Sequence, residues 1–204
     1  MAPCLPIDRA CYHYVMFKLP PTRYRHAAAA LALAVFGAAC TPTYDWREVH
    51  GTAAPFSVLM PAKPTVLARQ IKLIDLPVTM TMSAVEIDQV AYAVGSVELP
   101  DAHQATAARD AMQAAMVKNI HGKVTASASA AAVTASASDG AGAEHRDAAS
   151  QIEALGSLPD GHARLLLARF VTRDRYAYQV VVSGEPKRVV REQADTFLRS
   201  FKPE

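Results

Sequence analysis

Alternation of apolar and polar side chains begins at Phe56-Ser57-Val58-Leu59-Met60 and stops at Pro61, which reads as a short strand with a turn at Lys63-Pro64 behind it. Further strands are expected over Val66 to Leu73, Val78 to Glu86 and Val90 to Glu98. Only Asp88-Gln89 separates the last two, so they are expected to pair as antiparallel neighbours across a tight turn. Val78, Met80, Met82 and Ala84 fall on one face, and Thr79, Thr81 and Ser83 on the other. That division predicts a sheet with one buried and one wetter face. Ahead of these strands, Tyr44 to Val49 reads as a short extended segment whose Trp46 packs against the domain.

The period then changes. Ala105, Ala108, Met112, Ala115, Met116 and Ile120 recur at helical spacing, with Asp101 able to cap the start and Gly122 offering a stop. Methionines and alanines in such a stripe are core material, because Met fills gaps and Ala permits close approach to a sheet. Beyond Lys123, Val124-Thr-Ala-Ser-Ala-Ser-Ala130 returns nine residues later as Val133-Thr-Ala-Ser-Ala-Ser-Asp139. A strand is expected to start near Val124 and run into a low-complexity Ala/Ser loop at about 126–150, where side chains are too small to offset the entropy of ordering.

Ile152 to Leu158 and Ala163 to Thr172 flank the turn Pro159-Asp160-Gly161, and Arg173-Asp174-Arg175 leads into Tyr176 to Ser183. After Gly184-Glu185-Pro186, Val189 to Phe201 reads as a closing helix with Val190, Ala194, Phe197, Leu198 and Phe201 inward. Arg164, Arg169, Arg173 and Arg175 along one hairpin read as a solvated edge guarded by charge, in preference to a site for anionic headgroups or an acidic partner. The order of elements predicts an α+β domain: an antiparallel sheet of about six or seven strands in two meanders, with two main helices.

Composition separates the amino terminus from this pattern. The chain is 51% hydrophobic, but 40 of its 204 residues are alanine, so the true core is smaller than the fraction implies. From Met16, the basic side chains Lys18, Arg23 and Arg25 precede an apolar run from Ala27 to Ala39. This is the layout of a secretory signal, and the run is shorter than the roughly 20 residues of a membrane-spanning helix. Gly37-Ala38-Ala39-Cys40 closes the run and resembles the lipobox of bacterial lipoproteins. The resemblance implies cleavage before Cys40, a diacylglyceryl group on its thiol and an acyl chain on its new amino group. Gly37-x-Ala39 also suits ordinary signal peptidase, which would release a soluble periplasmic protein. Residues 1–15 fit no signal, and Met16 is the expected start.

The expected organisation is a signal peptide over 1–39, a lipidated cysteine and tether over 40–54, and one α+β domain over 55–204. Export removes Arg9, Lys18, Arg23 and Arg25 against Asp8 alone, taking 21 basic and 19 acidic side chains to 17 and 18. A near-neutral chain has no electrostatic footprint for nucleic acid. Cys4 and Cys11 leave with the signal, so no thiolate metal or redox site is expected in the mature protein. His50, His103, His121, His145 and His162 are scattered outside any ligand or triad spacing, and Glu86 and Asp88 flank a turn where solvated carboxylates are ordinary. No catalytic residue, metal or cofactor is assigned.

The phrases FSVLMPAKP, VAYAVGSVELP, AAMVKNIHGKV, LPDGHARLLLARF, YAYQVVVSG and DTFLRSFK resemble the PsbP/Mog1-like domains over most of residues 55–202. That resemblance implies a non-catalytic binding or assembly factor. The expected function is a membrane-anchored envelope lipoprotein that binds a protein or small apolar ligand, held in lipid through acylated Cys40 and meeting an envelope protein partner. The resemblance to lipoproteins, by the sorting behaviour of the enterobacterial ones, implies that Thr41 in place of aspartate after the cysteine favours the periplasmic face of the outer membrane. The other class is a tethered or secreted periplasmic hydrolase with a site assembled only in three dimensions.

Overall fold

The computed structural model describes residues 43–132 and 147–204. Among them are β1 (Arg47–His50), β2 (Phe56–Met60), β3 (Thr65–Leu73), β4 (Leu76–Ile87), β5 (Val90–Glu98), α1 (Ala102–Asn119), β6 (Lys123–Ala132), β7 (Asp147–Ser157), β8 (Ala163–Arg173), β9 (Tyr176–Gly184), α2 (Arg191–Ser200) and β10 (Lys202–Pro203). The fold is α+β, with a seven-stranded antiparallel sheet in the order β3-β4-β5-β9-β8-β7-β6. A second sheet, β1-β2-β10, holds the strand at Phe56 apart from the meander it was expected to open.

Local turn chemistry sets the register. Ile74-Asp75 and Asp88-Gln89 both take left-handed conformations, with φ of 47° and 65° in the first and 49° and 66° in the second. Each closes a two-residue hairpin whose twist matches the strands, pairing Leu73 with Leu76 and Ile87 with Val90. Two meanders, β3-β4-β5 and β6 to β9, then meet where β5 pairs with β9, Tyr92 opposite Val182 and Val94 opposite Val180.

Both faces of the central strands are buried, correcting the expectation of one wet face. Tyr92, Val94, Leu167, Tyr178 and Val180 pack beneath Phe197 and Leu198 of α2 and Phe56, Val58 and Met60 of β2. On the opposite face Val97, Leu166, Ala168, Phe170 and Val181 lie under Ala105, Ala108 and Met112 of α1. Strands β5, β8 and β9 are apolar at odd and even positions alike, as a sheet covered on both sides requires. The alternation that suggested a wet face belongs to β4, near the sheet margin, where Met80 and Met82 are only partly covered and Ser83 is buried.

Asp101 caps α1 as its position promised, its carboxylate accepting from the Gln104 backbone N–H at 2.8 Å. Two details of that helix differ from expectation. Ala115 is exposed and Ala111 packs in its stead, and the left-handed residue at the helix end is His121, with φ of 47°, not Gly122. Gly122 serves close approach: its backbone abuts Gly156 of β7, while the Ser157 N–H donates to the Ile120 carbonyl at 2.7 Å.

The Ala/Ser stretch is strand, not loop, through Ala132 on one side and from Asp147 on the other. β6 pairs with β7 from Lys123↔Leu155 to Ala132↔Asp147, with a register shift between Val124 and Ala126. Local bulk argued for disorder, but the ladder is templated by β7, itself paired along β8 from Ala148 to Ser157. Of the loop expected at about 126–150, residues 133–146 lie outside the described residues. At the other end, β1 falls within the segment expected as tether. Val190 is nearly half exposed at the amino end of α2, not inward, because the helix begins only at Arg191.

Candidate functional site

An open cleft of about 500 Å³ lies where β4 and β5 run past the small sheet. Thr79 and Thr81 of β4 and Ser96 and Glu98 of β5 form one wall, Ala53 and Ala54 before β2 face them, and Leu99, Pro100 and Arg175 close one end. Thr81 and Ser96 are cross-strand partners, and the buried Ser96 hydroxyl leans toward the Thr81 carbonyl at 3.5 Å. The hydroxyls noticed as a polar face of β4 thus line a concavity. Their spacing in sequence marked a face, and only the approach of Ala53 and Ala54, in the bend between β1 and β2, makes it a cleft.

Arg175 pairs with Glu98 at 2.9 Å, its guanidinium carbon 5.9 Å from the centre of the Tyr176 ring. The Leu99 N–H donates to the Arg175 carbonyl at 2.8 Å, tying the β8–β9 turn to the segment that leads into α1. The lining offers hydroxyl donors and acceptors, a neutralised ion pair and the apolar sides of Leu76, Val78 and Leu99. Such a surface can hold a ligand that is part polar and part apolar by hydrogen bonds and contact.

The arginine cluster is not a solvated edge, because β8 is an interior strand of the sheet. Arg169 is half-buried and donates to the Leu198 and Phe201 carbonyls, each at 3.3 Å, so it ties down the end of α2, and desolvation holds its pKa below the usual arginine range. Arg173 donates to the Pro203 carbonyl at 2.9 Å. Both read from sequence as surface charge because nothing local shows the carbonyls they reach, some 30 residues away. A further pair, Arg191 with Glu153, joins α2 to β7 through two hydrogen bonds of 2.6 and 2.8 Å. Those bonds lower the Glu153 carboxyl pKa and raise that of Arg191.

Trp46 packs on the core as expected and stacks on Tyr44, ring centres 5.9 Å apart and 10° from parallel. Below them the Tyr92 ring meets Phe197 edge-on, and its hydroxyl is buried without a hydrogen-bonding partner. Burial, with the Tyr44 phenol and the Asp88 charge nearby, pushes the Tyr92 pKa far above the ordinary tyrosine value.

His50, His103, His121 and His162 are exposed and apart, Glu86 and Asp88 are exposed, and His145 lies outside the described residues. No group of three or more His, Cys, Asp or Glu side chains among the described residues is placed to hold a metal. No helix among them is long and apolar enough to cross a membrane. Cys40, the predicted lipidation site, and the signal over 1–39 lie outside the described residues. Comparison with protein-family models and with curated proteins finds no match.

Proposed function

We propose that this chain is an envelope lipoprotein, acylated at Cys40, whose PsbP/Mog1-like domain binds a protein or small ligand without catalysing a reaction on it. The observation that carries the reading is the order of the chain around residue 40. A basic segment, a 13-residue apolar run and Gly37-Ala38-Ala39-Cys40 follow one another directly before a folded unit that begins at Thr43. Two or more acyl chains on one cysteine give stable attachment where a single chain gives only reversible binding. Thr41 directs the protein to the periplasmic face of the outer membrane.

The cleft supports the binding half of the reading. Its hydroxyls stand beside no histidine or cysteine in the lining, and its one carboxylate is engaged by Arg175. Labelled palmitate fed to cells is expected to appear in the protein and to vanish in Cys40→Ser; equal labelling of the two removes the anchor. Photocrosslinkers placed at Thr79 and at Ala53 are expected to capture one and the same envelope component, and capture of bulk envelope protein alone removes the binding role.

A further inference from the structure

The lipoprotein reading sets a length constraint on the folded domain. Three residues lie between Cys40 and Tyr44, so the four chain steps span at most ~14 Å when extended. An acylated Cys40 sits at the membrane–water boundary, so the Tyr44 end of the domain stays within reach of the headgroups. The Asp45 N–H donates to the Pro61 carbonyl at 2.8 Å, which fixes this stretch against the end of β2.

The surface there has interfacial chemistry. Tyr44 and Trp46 are half-buried and stacked, each combining an apolar ring with a polar group of the kind that partitions to the headgroup layer. Leu59 is 36% exposed on the adjacent strand, and its N–H meets the Ser200 hydroxyl at 3.0 Å, placing the exposed Arg199 at the same end. Lys63 stands exposed just beyond Pro61. Asp45, Glu48 and Asp88 are the opposing charges, the first of them taken up by Arg47. Lysine and arginine at this end suit the anionic phosphates of a bilayer.

The cleft lies at the other end of the same strands. On β5, Tyr92 sits near Tyr44, whereas Ser96 and Glu98 line the cleft four and six residues further on. At the usual rise per strand residue this is a separation of ~14 to ~20 Å. We infer that the Tyr44–Trp46 end of the domain rests on the phospholipid surface, so that the Thr79–Glu98 cleft opens away from the membrane. This orientation depends on the anchor proposed above, and its test separates the two.

Trp46 is the single tryptophan of the chain and reports on that end alone. Mature acylated protein is reconstituted in phosphatidylcholine–phosphatidylglycerol vesicles carrying lipids spin-labelled near the headgroup. Trp46 emission is expected to be quenched, whereas a Trp46→Phe/Ala53→Trp protein, with its reporter beside the cleft, keeps its emission. Protein that floats with the vesicles while Trp46 is unquenched, or while both reporters are quenched equally, overturns the orientation and leaves the anchor standing. Protein that does not float overturns the anchor and the orientation together. Cooperative melting of the double variant certifies that its reporter sits on a folded domain.

Discussion

Gly156 faces the carbonyl of Ile120 with no space between them for a β-carbon. The contact seats the carboxyl end of α1 on β7, where the Ser157 N–H binds that same carbonyl. Because the obstacle is backbone, it cannot rotate away. Gly156→Ala is expected to destabilise the domain by about 3 kcal/mol, the upper end of overpacking costs, read as a lower midpoint in urea at unchanged slope.

Arg169→Ala should cost about 2 kcal/mol in the same assay, since it strands the Leu198 and Phe201 carbonyls in a half-buried place. Arg169→Lys should recover only part of the loss, because an ammonium has donors for both carbonyls but sits on a shorter stem than the Nη1 that reaches them and costs more to strip of water.

Tyr92→Phe is expected to stabilise the fold by about 1 kcal/mol, because it removes a buried hydroxyl that has no partner. The titration gives a second signature. The folded-state pKa of Tyr92 is raised above 10.0, so the unfolded chain loses this proton first as pH climbs. The contribution of this group is complete below pH 10 and is lost as pH rises above it. Denaturation curves from pH 8 to 11 should show a shallower alkaline decline for the phenylalanine variant.

The Arg191–Glu153 pair has the opposite dependence. Its hydrogen bonds depress the Glu153 pKa below 4.5, so its contribution is complete above that pH and is lost as pH falls below it. With Arg191 more than half exposed, solvent screening limits the pair to about 0.5 kcal/mol. Arg191→Ala should cost that much at pH 7 and progressively less as pH falls below 4.5.

Much of the fold was legible because its signals are local. The two-residue turn at Asp88-Gln89, the cap at Asp101 and the strands β5, β8 and β9 each announce themselves within a few residues. What escaped depends on partners distant in the chain. The strand character of Ala126 to Ala132 comes from β7, the burial of both sheet faces from where α1 and α2 land, and the roles of Arg169 and Arg173 from carbonyls near the carboxyl terminus. The cleft is the same case: Thr79 and Thr81 were visible as a hydroxyl face, but Ala53 and Arg175 come from other elements.

The pairing of β5 with β9 carries a consequence for how the protein comes to be folded. Val94 pairs early with Ser83 of β4, but its other side finds no neighbour until Val180 arrives, so the first meander holds an open edge while the rest of the chain is delivered. Contacts that distant are slow to close. A chain ending at Arg173 should therefore show no cooperative unfolding transition, because it lacks Tyr176–Gly184, the strand that joins β5 to β8.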